Sequence, residues 1–139
     1  TDEMRGLLKT ADCYVSLHRA EGLGLGMAES MFLGKPVIAT AYSGNMEFMN
    51  ADNALLVPYS LVPVAEGEYP FATGQQWAAP DVSAAATFMR RVVAEPNEML
   101  RIGDSARLYM QTHHSIDVMS QAIAQRLEAL DQQLQEALH

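Results

Sequence analysis

The sequence predicts an α/β protein with an open parallel sheet, and three observations support this fold class. Three short apolar runs have the composition of buried strands, at residues 13–18, 36–40 and 53–58. Apolar residues at helical spacing precede the first run and separate it from the second. A glycine-rich loop follows the first run, where a strand gives way to a helix. Strands and helices that alternate in this way form a parallel, Rossmann-like sheet with flanking helices and right-handed crossovers.

Local signals set the expected ends of the first helices. A helix is predicted over residues 2–11, where apolar positions recur at i, i+3, i+4 and i+7. The helix after the glycine loop is predicted to end at Gly34, because glycine stops helices and Pro36 cannot continue one. A further short helix is expected at residues 44–49.

The second half of the chain has a different pattern. Residues 58–80 contain four of the six prolines and no clear period, so a long ordered loop is predicted there. The segment has too many aromatic residues for a free linker, namely Tyr59, Tyr69, Phe71 and Trp77; of these, Tyr69 and Trp77 either anchor the loop or line a cleft. A helical tail over residues 81–138 should contain three helices, with Asp81 and Ser115 as N-caps and Pro96 between the first two. Residues 1–139 are predicted to form a single, truncated domain.

Composition excludes several classes of function. The 139 residues contain 9 basic and 17 acidic side chains, a net charge of −8, which argues against nucleic acid as a partner. The single Cys13 excludes an internal disulfide and indicates a reducing, cytoplasmic compartment. No apolar run approaches the length of a membrane span, which is about 20 residues. The chain has neither a signal peptide nor an initial Met, so it is expected to be a piece of a longer protein.

The glycine loop is the strongest candidate for a binding site. Gly22, Gly24 and Gly26 lie where a parallel strand ends and a helix begins, the usual place for an anionic ligand such as a diphosphate. A dinucleotide fingerprint does not fit, because Met27 and Glu29 occupy the third glycine position in the two registers. A P-loop does not fit either, because Pro follows Gly34-Lys35.

Two carboxylates flank this loop. Glu21 precedes the glycines, and Glu29 lies about one turn inside the helix, where it is expected to face the same pocket. Carboxylates repel phosphate, so they should accept hydrogen bonds from neutral hydroxyls on either side of it. A ligand with hydroxyls, a diphosphate and further hydroxyls is a nucleotide sugar.

The run SLHRAEGLGLGMAESMFLGKPVIATAYSGNMEFMNADNALLVPY resembles the C-terminal donor-binding domain of group 1 (family 4) retaining glycosyltransferases of the two-domain GT-B type. The signature motif of this family, two glutamates separated by seven residues, is matched by Glu21 and Glu29. The resemblance implies that Glu21 is the catalytic-centre residue that binds the donor sugar, and that Glu29 binds the ribose. Backbone N–H groups would bind sugar and diphosphate; they belong to Gly22, Leu23, Gly24, Leu25 and Gly26. It implies no metal site and no cofactor besides the nucleotide sugar.

Three neighbouring residues have two interpretations each. His18 either touches the ligand or is a hydrogen-bonded structural histidine, and Ser43-Gly44 forms either a turn or a ligand-facing loop.

The tail resembles bacterial members that act on polysaccharides or lipid-linked glycans, which implies a cytoplasmic enzyme peripheral to the inner membrane. A non-catalytic nucleotide-binding or partner-binding module is the alternative function.

The chain also departs from the family pattern. In the family, an Arg/Lys pair binds the diphosphate, and a separate N-terminal domain carries the acceptor site. Both lie upstream of the segment present here, so this chain alone is expected to be inactive. Its first strand should be an exposed sheet edge. The apolar stripe from Ile116 to Leu138 either packs on its own domain or is exposed, and the sheet edge or this helix would then allow a homodimer.

Overall fold

A three-stranded parallel sheet forms the centre of the molecule. The computed structural model describes residues 2–137. Its strands are β1 (Tyr14–Ser16), β2 (Val37–Thr40) and β3 (Leu55–Val57), in the spatial order β1-β2-β3. Val15 pairs with Ile38, and Ile38 pairs with Leu55. The predicted α/β fold with a parallel sheet is confirmed.

Helices begin and end where local signals placed them. They are α1 (Asp2–Thr10), α2 (Leu25–Phe32), a short 3₁₀ helix (Gly44–Glu47), α3 (Val82–Ala94), α4 (Pro96–His113) and α5 (Ile116–Ala137). The Asp81 carboxylate caps α3 by accepting hydrogen bonds from the N–H groups of Ser83 and Ala84. Pro96 is the first residue of α4, a position where its missing N–H costs no helical hydrogen bond.

The core lies on both faces of β2, whose residues are all buried. Side chains of a strand alternate between the two faces, so Val37 and Ala39 join one cluster and Ile38 joins the other. Met27 and Met31 of α2 pack in the first cluster. Residues of α3 and α4 complete the second; they include Ala85, Met99 and Ile102. The sheet is therefore packed between two apolar clusters, one on each face.

The long loop predicted over residues 58–80 is wrong, because the segment forms an antiparallel hairpin. Its strands are β4 (Tyr59–Pro63) and β5 (Gln76–Pro80), joined by residues 64–75. Pro63 pairs with Gln76 and Pro80 pairs with Tyr59, so both prolines lie at strand ends. A two-stranded hairpin consists of edge strands only, and such strands tolerate the missing N–H of proline.

Two apolar surfaces remain uncovered among residues 2–137. β1 is an edge of the sheet, as expected, and Val15 is 40% exposed there. Helix α5 has no buried residue, so the interpretation that its stripe packs on its own domain is wrong for the described part. The exposed stripe consists of Ile116, Met119, Ile123, Leu127, Leu130 and Leu134; Leu138 lies outside the described residues. No helix in the described region is long and apolar enough to cross a membrane.

Candidate functional site

A cavity of about 780 Å³ opens at the carboxyl end of β1. One side, the sheet wall, consists of residues 18–22 and Ser43. The opposite side, the hairpin wall, consists of Val64, residues 69–72 and residues 75–77. Of the residues predicted for the site, His18, Glu21, Gly22 and Ser43 therefore line one cavity.

The loop after β2 holds the backbone of the sheet wall. The Ser43 hydroxyl donates a hydrogen bond to the Glu21 carbonyl at 2.7 Å and accepts one from the Glu21 N–H at 3.3 Å. The Gly44 N–H donates to the same carbonyl at 3.1 Å. A Cβ atom at Gly44 would collide with the carbonyl of Gly22, so only glycine allows this close approach. Ser43 and Gly44 form a turn that positions the Glu21-Gly22 backbone.

His18 connects the sheet wall to the same loop. Its Nε2 lies 2.8 Å from the Tyr42 carbonyl oxygen and 3.1 Å from Asn45 Oδ1, while Nδ1 lies 3.2 Å from the Ser16 hydroxyl. Two acceptors at Nε2 indicate that this nitrogen carries the proton. The fully buried Asn45 in turn donates to the Thr40 carbonyl at 3.1 Å. Both His18 nitrogens are engaged within the protein, which favours the structural interpretation of this histidine.

Gly24 sets the start of α2. It is the N-cap residue with φ of +90°, a left-handed conformation, and no side chain caps the helix. The Ala28 N–H donates to the Gly24 carbonyl at 2.9 Å and makes the first hydrogen bond of the helix. The N–H groups of residues 25–27 therefore have no partner within the helix, and they carry its partial positive charge. This end of α2 can bind an anion.

The other two glycines of the loop have different roles. A Cβ atom at Gly22 would meet nothing within 4 Å, so this part of the loop faces open space. A Cβ atom at Gly26 would lie 2.6 Å from the Tyr14 hydroxyl, so Gly26 allows α2 to pack closely on β1. Leu23 and Leu25 are 51% and 69% exposed, and only their backbone atoms belong to the predicted set.

Glu29 does not share a cavity with Glu21, so this expectation is wrong. It lines a separate groove of about 340 Å³ between α1 and α2, together with Arg5 and Lys9. The buried face of α2 is occupied by Met27, Ser30 and Met31, so Glu29 is exposed on another face. The glycine loop and the first turn of α2 therefore separate the two carboxylates along the chain.

Arg19 is a cavity residue that sequence reasoning missed. Its guanidinium lies 3.8 Å from the centre of the Trp77 ring, and its Nε donates to the Ala78 carbonyl at 3.2 Å. The Ala78 N–H donates back to the Arg19 carbonyl at 2.8 Å. Glu68 Oε1 lies 4.0 Å from Arg19 Nη1, and both side chains are partly exposed. Arg19 thus joins the hairpin to the sheet wall two residues before Glu21, across a sequence separation that no local pattern reveals.

The hairpin wall contributes the remaining cavity residues. Tyr69 and Trp77 line the cavity, so the interpretation of these aromatic residues as cleft-lining is the one the geometry favours. Phe71, Gln75 and Gln76 were not expected there. Among residues 2–137, no group of three or more His, Cys, Asp and Glu side chains is arranged to hold a metal ion.

Comparisons with known proteins give one match in sequence and several in fold. Residues 1–66 match the family model of glycosyl transferases group 1. No curated protein sequence matches the chain. The fold is similar to crystal structures of Anabaena HepE: TM-score 0.69 for the complex with UDP and glucose, at 19% identity, and 0.68 for the complex with UDP-glucose, also at 19%.

The match to HepE is extensive for this chain but partial for HepE. It covers 92% of this chain and 30% of HepE in the complex with UDP and glucose, and 91% and 30% in the complex with UDP-glucose. The complex with UDP alone has a TM-score of 0.65 at 20% identity, with 88% and 29% covered. The chain thus has the fold of about 30% of HepE, and its residues 1–66 match the family model of glycosyl transferases group 1.

Proposed function

We propose that this chain is the donor-binding part of a retaining glycosyltransferase, forming a single nucleotide-sugar-binding domain. One observation carries the proposal: Glu21 lines a large cavity at the end of β1 and leads directly into a glycine loop and an uncapped helix start. This arrangement suits a ligand with both hydroxyls and a diphosphate. The similar protein HepE has been crystallised with UDP and with UDP-glucose, which supports a nucleotide sugar as ligand.

The donor would lie across the glycine loop. Its diphosphate would accept hydrogen bonds from the free N–H groups at the start of α2, where the helix dipole stabilises negative charge. Glu21 would accept hydrogen bonds from hydroxyls of the transferred sugar, and Glu29 from the ribose in the groove beside α1. Arg5 and Lys9 line that groove and offset the charge of Glu29. The separation of the two carboxylates agrees with a ligand whose hydroxyl groups flank a phosphate.

The proposed reaction needs no metal or cofactor bound by the protein. The bond between the anomeric carbon and the diphosphate oxygen breaks, and a bond to an acceptor hydroxyl oxygen forms on the same face of the sugar. The diphosphate leaves with the electron pair of the broken bond, and its departing oxygen takes the proton of the acceptor hydroxyl. The N–H groups of α2 stabilise the charge that develops on the leaving group.

The full reaction requires further parts. We infer that an N-terminal domain supplies the acceptor site and that an upstream part of the donor-binding domain supplies the Arg/Lys pair that binds the diphosphate, so that this chain alone is inactive. The acceptor would be a glycan, a polysaccharide or a lipid-linked saccharide, and the enzyme would be cytoplasmic and peripheral to the inner membrane. Burial raises the pKa of the Cys13 thiol to about 11, which agrees with a reduced cysteine.

An NMR titration of the chain tests donor binding. UDP-glucose, GDP-mannose and NAD are added while the amide signals of Gly22, Gly24 and Gly26 are followed. We expect a nucleotide sugar to shift these signals and NAD to leave them unchanged. Glu29→Ala should weaken binding of the nucleoside diphosphate, and Glu21→Ala should reduce discrimination among sugars. The exposed Glu128 of α5 provides the matched control, Glu128→Ala. Equal binding of all ligands would contradict the proposal.

A further inference from the structure

We propose that the hairpin wall binds a hexopyranose ring in the cavity that Glu21 lines. The inference rests on the proposed function and deepens it, because it assigns sugar recognition to residues outside the glycine loop. The residues concerned are Tyr69, Phe71, Gln75 and Gln76, with Arg19 and Trp77 as their support. Most of them lie beyond residues 1–66, the part of the chain that matches the family model.

The first observation is the exposure of two aromatic rings at the cavity. Phe71 is 103% exposed and Tyr69 is 67% exposed, although both line the cavity. Phe71 also has a φ of +56°, which is uncommon for a residue with a side chain and is disfavoured for a bulky one. No packing within the described residues compensates for this conformation. Strain that presents an apolar ring to a cavity is typical of a ligand-binding position.

The second observation is the chemistry around these rings. A pyranose ring has faces of C–H groups, which pack on the negative face of an aromatic ring, and a rim of hydroxyls. The amides of Gln75 and Gln76 line the same cavity and can both donate and accept hydrogen bonds. Glu21 belongs to the other wall of this cavity, and a carboxylate accepts hydrogen bonds from hydroxyls, whereas it repels an anion. This combination of aromatic, amide and carboxylate groups favours a neutral, hydroxyl-rich ligand.

The third observation is that the hairpin is held at a defined position relative to Glu21. Reciprocal hydrogen bonds join Arg19 to Ala78, and the Arg19 guanidinium stacks on Trp77. A ring that packs on the hairpin wall therefore lies in the same cavity as the carboxylate. At about 780 Å³ the cavity has the size of sites for drug-like ligands, so one hexose fills only part of it.

The hexopyranose can come from two sources, the donor or the acceptor saccharide. Trp77 is the only tryptophan, so its indole N–H signal reports on the hairpin wall alone. The full chain is titrated with UDP, with UDP-glucose, with GDP-mannose, and with glucose or mannose in the presence of saturating UDP. Signals of Gly22 and Gly24 report on the glycine loop in the same spectra. An indole shift with a nucleotide sugar identifies the donor sugar, and a shift with the free sugar identifies the acceptor.

Variants connect the signal to the hairpin wall. We expect Phe71→Ala to lower the affinity for the sugar-containing ligand at least fivefold and to leave the affinity for UDP unchanged. The control is Leu61→Ala, because Leu61 is an exposed apolar residue of the same hairpin that does not line the cavity. This control should bind like the wild type.

The outcomes separate the two proposals. Shifts of the glycine signals with an unchanged indole signal for every sugar would overturn this inference and leave the proposed function intact. An indole shift with free sugar that Phe71→Ala abolishes, without any glycine shift by nucleotides, would support the hairpin site and contradict the proposed function. Unchanged signals throughout would overturn both.

Discussion

The two walls of the cavity differ in what holds them in place. The sheet wall is fixed by hydrogen bonds between its backbone and the loop after β2, where the buried Asn45 and the close approach of Gly44 leave no freedom. The hairpin wall is joined to the rest of the molecule by Arg19, through one stacking contact and two hydrogen bonds, and by the contact between the Tyr59 and Tyr42 rings, whose centroids lie 4.9 Å apart. The first wall is thus part of the folded core. Side chains of the hairpin wall can therefore be substituted without disturbing that core.

The largest effect is expected for Gly44→Ala in the sheet wall. The added Cβ collides with the Gly22 carbonyl, so the backbone must shift, and the free energy of unfolding should fall by about 3 kcal/mol. Gly22→Ala is the matched control, because a Cβ there meets nothing within 4 Å and the change should stay within about 0.5 kcal/mol. Chemical denaturation measures both. Equal stability of the two variants would contradict the close packing of this wall.

A smaller effect is expected for Asn45→Ala. The variant removes two hydrogen bonds of a buried amide, the one that it donates to the Thr40 carbonyl and the one that it accepts from His18, while the Tyr42 N–H still donates to the Thr40 carbonyl. Such a loss costs about 2 kcal/mol. Thermal unfolding followed by circular dichroism provides the measurement, with Asn50→Ala as a comparison because Asn50 is exposed. If both variants melted like the wild type, the hydrogen bonds of His18 and Asn45 would not hold the sheet wall.

Arg19→Lys tests the attachment of the hairpin. Lysine keeps the charge but loses the planar stacking on Trp77 and the Nε hydrogen bond to Ala78, so we expect a loss of about 1 kcal/mol. The loss should be local: amide hydrogen exchange should accelerate in β4 and β5 and stay unchanged in β2. Acceleration in all three strands would mean that the hairpin and the core unfold together.

The smallest effect on stability is expected for Phe71→Ala. Because this ring is fully exposed, the free energy of unfolding should change by less than about 0.5 kcal/mol. The same substitution at Phe48, which is 3% exposed in the core, should cost about 3 kcal/mol. Denaturation of the two variants side by side measures the difference. A large loss at Phe71 would show that the hairpin wall is a packed element.

Local sequence signals were sufficient for the sheet wall. Alternating apolar runs and the stops at Gly34 and Pro36 predicted the helices and parallel strands, and Glu21 lies in the loop that follows β1, which ends at Ser16. These features depend on residues that are close in sequence, since helix caps and strand composition act over a few positions. The prolines of residues 58–80 suggested a loop without strands. Pro63 and Pro80 instead lie at the ends of β4 and β5, and where these strands end depends on their pairing, which local sequence does not reveal.

By itself, then, the sequence determined the α/β architecture, the glycine loop and the carboxylate that precedes it, because short-range propensities and hydrophobic periodicity specify these elements. Only the tertiary structure decided that Glu29 faces the groove beside α1, that α5 exposes its apolar stripe, and that Arg19 stacks on Trp77. The physical reason is that each of these features is a contact, or a missing contact, between segments far apart along the chain. Such contacts are fixed when the segments pack together, and no local pattern encodes them.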